Sequence, residues 1–132
     1  VGHERAVASP AAVRQRILIV EDDRFARGAL QRILELDGYN VRVTGSGQRA
    51  IRVLKTFAPQ VVIMDWCLPG LSGDRLCREI LRRNPEVPLI VASSSDEAFS
   101  SDVEFSARLR KPIDVRQLRA VVARSLVESV RL

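Results

Sequence analysis

Five short aliphatic runs alternate along this chain with longer segments whose apolar residues recur every three or four positions, and that alternation constrains the fold more than any other feature. The runs are RILIV (Arg16 to Val20), NVRVT (Asn40 to Thr44), QVVIM (Gln60 to Met64), PLIVA (Pro88 to Ala92) and FSARL (Phe105 to Leu109). Helical spacing marks Phe25, Ala29, Ile33 and Leu36 as one face, Ala50, Val53, Leu54 and Phe57 as a second, and Leu76, Ile80 and Leu81 as a third. Val115, Leu118, Val122 and Leu126 mark a last helix. Near-continuous apolar strands between helices predict a parallel sheet covered on both faces. Gly38, Pro59 and the pair Asn84-Pro85 stand where the first three helices should stop. The expected fold is a doubly wound, five-stranded parallel α/β domain. Its irregular stretch is SSSDEAFSSDVE (Ser93 to Glu104), with three apolar positions only, so a shortened or irregular fourth helix is expected there.

A chain of 132 residues fits one domain of this kind and no second catalytic one. Residues 1–14 lack helical periodicity and begin with Val, which reads as a flexible tail or linker of a longer protein, and residues 15–132 as the domain. The one histidine, His3, lies in that tail, which excludes Ser-His-Asp, Cys-His and His-rich zinc chemistry from the body of the domain. Cys67 and Cys77 read as reduced thiols, and the longest aliphatic runs, four residues, are too short to cross a membrane. A soluble cytoplasmic protein is expected. Of 21 cations, 19 are arginine, against 16 acids, for a net charge of +5. Mixed signs permit acidic partners without pointing to them, and arginines spread over several helices argue against direct nucleic-acid binding.

In a sheet of this type ligands bind beyond the carboxyl ends of the strands, beside the point where strand order reverses. Glu21, Asp22 and Asp23 follow the first run, Asp65 the third, Ser93 the fourth and Lys111 the fifth. Carboxylates converging on one edge repel, and a hard divalent cation with oxygen ligands relieves that repulsion; Mg²⁺ is the natural candidate. Asp23, just ahead of the first helix, reads as its N-cap. Asp65 stands too early for capping, because WCLPGLSG separates it from the next helix, which should begin near Gly73 or Asp74. Lys111 precedes Pro112, which keeps it out of the last helix and at the acidic mouth.

The segments ILIVEDD, VVIMDWCLPGLSG, PLIVASS and RKP, in this order, resemble the receiver domain of two-component response regulators, similar in plan to the chemotaxis regulator, from about Arg16 to Leu126. The resemblance implies a flavodoxin-like fold and a signalling domain, with Mg²⁺-dependent self-phosphotransfer and slow dephosphorylation as its only reactions. It implies Asp65 as acceptor of a phosphoryl group from a histidine kinase or a histidine phosphotransfer protein. It also implies Mg²⁺ held by Glu21, Asp22, Asp65 and the backbone carbonyl of Cys67, Asp22 being the more direct of the acidic pair. Ser93 matches the switch hydroxyl and Lys111 the phosphate-binding lysine. A downstream protein, or an attached output or kinase domain, is the second implied partner, and homodimerisation stays open.

Two departures bear on switching. Ser93 and Lys111 are 111 − 93 = 18 positions apart, roughly one helical turn short of the family pattern. Arg108 stands where the family usually carries an aromatic switch residue. Phosphorylation with a remodelled output surface is therefore expected. Ser94 and Ser95 replace small apolar residues and wet the pocket; Trp66 is expected partly exposed, and Cys77 in the core. A degenerate receiver that binds protein without phosphorylation stays open as the alternative, as does an Mg²⁺-dependent phosphatase or nuclease. Gly45 to Ala50 also fits GxGxxA, with Asp65 20 positions beyond Gly45, but a dinucleotide fold starting there leaves Glu21, Asp22 and Lys111 without a task.

Overall fold

The computed structural model of the chain describes residues 14–96 and 102–130, with side chains described through residue 127. The expected tail falls almost wholly on residues 1–13, outside that range. Nine elements follow: β1 (Arg16–Val20), α1 (Arg24–Leu36), β2 (Asn40–Thr44), α2 (Gly47–Phe57), β3 (Val61–Asp65), α3 (Gly73–Arg83), β4 (Leu89–Ser93), β5 (Ala107–Arg110) and α4 (Val115–Val130). The five strands form one parallel sheet in the order β2-β1-β3-β4-β5. The chain leaves β1 toward one edge and returns on the other side of it to form β3. The carboxyl ends of β1 and β3 therefore frame the switch point.

Alternation along the strands decides which helices cover which face. Leu18, Val20, Val62 and Met64 point to one side, where Ala50 and Leu54 of α2 and Leu76 and Ile80 of α3 pack on them. Ile17, Ile19 and Ile63 point to the other, under Leu30 and Leu34 of α1 and Leu118 and Val122 of α4. Each such Leu, Ile, Val or Met side chain, when fully removed from water, contributes about 1.5–3 kcal/mol before entropy is counted. The helices start on side-chain caps. Asp23 Oδ2 accepts from the Ala26 N–H at 2.8 Å, Ser46 Oγ from Arg49 at 3.2 Å and Ser72 Oγ from Arg75 at 3.1 Å. Gly38, at φ +97°, follows α1 in the left-handed region that glycine tolerates.

The apolar face expected for α1 is corrected. Phe25 and Leu36 are 76% and 72% exposed, and the helix buries Leu30 and Leu34 instead. Two apolar rows share the helical period here, and spacing alone does not choose between them. Val115, expected on the α4 core face, is likewise 37% exposed. Between β4 and β5 the described residues 94–96 and 102–106 are not helical; the rest of the expected short helix, residues 97–101, lies outside the described residues.

Candidate functional site

β1 delivers Glu21 into the mouth, its N–H still bonded across the sheet to the Thr44 carbonyl at 3.0 Å. The side chain is 3% exposed. Its Oε2 accepts from the Asp23 N–H at 3.1 Å, and its Oε1 from Lys111 Nζ at 3.1 Å. Asp65 is the last residue of β3, in register with Ala92, rather than the first residue after the strand. Its Oδ1 accepts from the Cys67 N–H at 3.1 Å and its Oδ2 faces Lys111 Nζ, also at 3.1 Å. Lys111 is fixed in turn by its own N–H, which donates to the Ser93 carbonyl at 2.9 Å. The Lys111–Pro112 peptide is cis.

One ammonium thus bridges two buried carboxylates. Burial raises the Glu21 carboxyl above the usual carboxylate range, and the Asp65 charge adds to that rise; the hydrogen bonds from Asp23 and Lys111 oppose it without cancelling it. For Lys111 burial acts downward, but the hydrogen bonds to Asp65 and Glu21 outweigh it and leave the ammonium above the ordinary lysine value. The cation is permanent at any physiological pH.

Carboxylate oxygens of Glu21, Asp22 and Asp65 lie within 4.8 Å of one another, with Asp22 exposed at the rim. Among the described residues no donor reaches the Cys67 carbonyl. Three converging carboxylates and a free carbonyl suit a small, hard, oxygen-seeking cation, and Mg²⁺ fits that donor set. An open groove of about 710 Å³, lined by Asp22, Trp66, Cys67, Leu68 and Pro69 among others, gives access. The assembly offers an oxygen nucleophile in Asp65, a fixed cation in Lys111 and ligands for a metal. Those parts suit an incoming phosphoryl group, whose transfer needs positioning and charge neutralisation more than covalent chemistry.

The structure brings Glu21, Asp22, Asp65 and Lys111 together as the sequence led us to expect. Ser93 is buried at the end of β4, and its hydroxyl is engaged locally: Oγ accepts from the Ser95 N–H at 3.0 Å and lies 3.1 Å from the Ser95 carbonyl. Arg108 is exposed on β5, its guanidinium 4.9 Å from the centre of the Phe105 ring. Phe105 meets Trp66 edge to face, at 5.9 Å between centroids. Trp66 is therefore not a partly exposed loop residue. It is 9% exposed and belongs to the core. Sequence reasoning missed Gly73, where a Cβ would fall on the Trp66 carbonyl and 2.8 Å from its ring. Only a glycine lets the start of α3 close on the residue that follows Asp65. The GxGxxA resemblance dissolves into packing: a Cβ at Gly47 would meet Leu71 at 2.9 Å, and Ser46 is spent as a cap.

A family model for the response regulator receiver domain matches residues 17–123, and the chain belongs to that family of signalling domains. Among curated proteins it is similar to Response regulator MprA of Mycolicibacterium vanbaalenii, 30% identical over 109 residues, covering 80% of this chain and 47% of that protein. The chain spans about half the length of such relatives. Among solved structures, a CheY-like receiver domain protein from Methanospirillum hungatei shares the fold, with a TM-score of 0.84 at 24% identity, covering 89% of this chain and 98% of that one. The receiver domain of a sensor histidine kinase from Pseudomonas aeruginosa, solved with a magnesium ion coordinated in its active site cleft, is similar with a TM-score of 0.75 and 26% identity, covering 86% of this chain and 98% of that one. No helix among the described residues is long and apolar enough to cross a membrane.

Proposed function

We propose that the domain, residues 15–132, accepts a phosphoryl group on Asp65 from the phosphohistidine of a histidine kinase or phosphotransfer protein in the cytoplasm, and so switches a protein-interaction surface. The observation that carries this reading is the single ammonium of Lys111 set 3.1 Å from both Glu21 and Asp65, beside the three-carboxylate cluster. An Asp65 carboxylate oxygen attacks phosphorus; the new O–P bond forms as the N–P bond to the donor imidazole breaks, and that nitrogen keeps the electron pair. Lys111 donates to an equatorial phosphoryl oxygen. Glu21, Asp22, Asp65 and the Cys67 carbonyl would hold Mg²⁺, which when bound neutralises charge on the transferring group. The transfer converts the anion facing Lys111 into a larger, more highly charged acyl phosphate. Ser93 can then exchange its Ser95 contact for a hydrogen bond to the phosphoryl group, moving the end of β4.

A donor protein must seat its histidine at this mouth. Beside it, Glu21 and Lys111 share with Ala26, Leu30, Ile33, Pro112 and Ile113 the lining of an apolar groove of about 320 Å³, and Phe25, the residue before Ala26 in the first turn of α1, is 76% exposed. We read this surface as the one the donor covers.

Intact mass after incubation with acetyl phosphate and Mg²⁺ tests the chemistry. A single phosphoryl adduct is expected, absent from Asp65→Asn and absent when the metal is chelated. An unmodified native chain would instead favour a receiver that binds its partner without phosphorylation. Phe25→Glu tests the docking surface: transfer from a phosphorylated cognate histidine protein should slow by about tenfold or more, as for a hot-spot aromatic, while labelling by acetyl phosphate stays unchanged.

A further inference from the structure

Residues 38–64 contain four cations, Arg42, Arg49, Arg52 and Lys55, and no Asp or Glu. The fold gathers them on one flank. Arg49, Arg52 and Lys55 are exposed along α2 at three-residue steps, a row about 9 Å long at 1.5 Å per residue. Arg42 is exposed on the edge strand β2 and lays its guanidinium 4.9 Å from the centre of the Phe57 ring, at the last turn of the same helix. Among the described residues, none of these four cations lies within 4.0 Å of a carboxylate.

Several other cations of the surface pair within the fold, and although Arg32, Arg75 and Arg116 also lie beyond 4.0 Å of any carboxylate among the described residues, the α2–β2 flank alone draws on a stretch, residues 38–64, without a single acid among its four cations. On α3, Arg78 pairs with Asp74 at 2.8 Å and Asp102 at 2.5 Å, and Arg82 and Arg83 share Glu79. Arg110 pairs with Asp96 and Arg119 with Asp37. Like charges on successive turns of a helix repel, so the α2 row carries a small cost that no ion pair among the described residues offsets. An external anion would offset it.

We infer that the α2–β2 flank is a docking surface for an acidic, extended polypeptide segment of a partner protein. Neighbours three apart on a helix stand about 5–6 Å apart, close to the roughly 6.6 Å between alternate residues of an extended chain. Carboxylates on every second residue of such a segment therefore meet successive cations, and arginine forks bind carboxylates in pairs of parallel hydrogen bonds. A nucleic acid suits the flank less well. The row spans fewer than three base-pair steps of about 3.4 Å, and the one ring in it, Phe57, is buried beneath Arg42 and presents no face for stacking. The surface lies toward the β2 edge of the sheet, the edge opposite β5.

A fluorescein-labelled ten-residue Glu-Ser repeat, titrated against the chain at low salt and followed by anisotropy and amide NMR shifts, tests the inference. Arg49→Gln/Arg52→Gln should weaken binding by about tenfold, whereas Arg82→Gln/Arg83→Gln on α3 should change it less than about twofold. Amide shifts should concentrate at residue 42 and residues 48–56. Labelling by acetyl phosphate in both double variants reports that the fold is retained. No binding, equal weakening by the two double variants, or shifts spread over α3 and α4 would overturn the proposal. So would tighter binding of a 20-base-pair DNA duplex through the same two arginines, which would make the flank a nucleic-acid surface.

Discussion

At the carboxyl ends of β1 and β3, buried charges satisfy one another through fixed backbone: Glu21 takes two donors, Asp65 takes two, and both share Lys111. At the ends of β4 and β5 the arrangement is local. Ser93 turns to Ser95, Asp96 to Arg110, and Arg108 stacks outward on Phe105. The first region has the geometry of a reaction site, with few ways to relax; the second is built from short-range contacts that cost little to exchange. That difference suits a domain in which one half receives charge and the other rearranges. Lys111 belongs to both, since its backbone hangs on β4 and its side chain on the acids.

The sharpest way to break this division is Lys111→Met. Removing the one cation between two buried carboxylates should slow labelling by acetyl phosphate about 10²-fold, the usual cost of losing one preorganised electrostatic partner. It should also lower stability at pH 7 by about 1–3 kcal/mol, because both acids lose a charged hydrogen bond. The pH dependence has a definite sign. The Lys111 pKa is raised in the folded state above the ordinary lysine value, so its contribution is complete below the unfolded value and fades as pH rises through the folded one. In urea titrations the advantage of the native chain over the variant should be level from neutral pH to about 10 and shrink above it. An unchanged labelling rate would remove Lys111 from the site.

Gly73→Ala acts from behind the acidic region. The added methyl group falls against the Trp66 backbone and ring, so the start of α3 must move, at about 1–3 kcal/mol, the usual range for overpacking. A lower urea midpoint with slower labelling is expected, because Trp66 follows Asp65 directly. A midpoint that does not move would mean that α3 is free to shift and does not hold Trp66.

How much of this was written in the residues differs by region for a physical reason. β1 and β2 begin and end where the aliphatic runs RILIV and NVRVT do. β3 and β4 each run one residue further, onto Asp65 and Ser93, because backbone pairing with β4 and β5 continues past the last apolar side chain. Glu21, Asp22, Asp65 and Lys111 were legible because strand order brings strand ends together whatever the loops do. The burial of Trp66 was not. It depends on Gly73 and Phe105, whose proximity to it no spacing encodes. The α1 face was misread for the opposite reason, too much signal, with Phe25 and Leu36 as regular as the buried Leu30 and Leu34.

Arg108 gives the smallest effect and the finest test of the division. Its guanidinium covers the Phe105 ring at an exposed position, where a cation–π contact contributes about 0.5–1 kcal/mol. Phe105 rests in turn on Trp66, so a physical path leads from β5 to the residue after Asp65. If β5 is a reporter and not part of the reaction, Arg108→Ala should lower stability by no more than that amount and leave the acetyl phosphate labelling rate within about twofold. Fluorescence of Trp66, the only tryptophan in the chain, should still change when the native chain or the variant is phosphorylated. A labelling defect as deep as that of Lys111→Met would place Arg108 within the reaction site and erase the distinction between the two halves. A lost fluorescence response with normal labelling would instead make the Phe105 contact the link through which β5 senses Asp65.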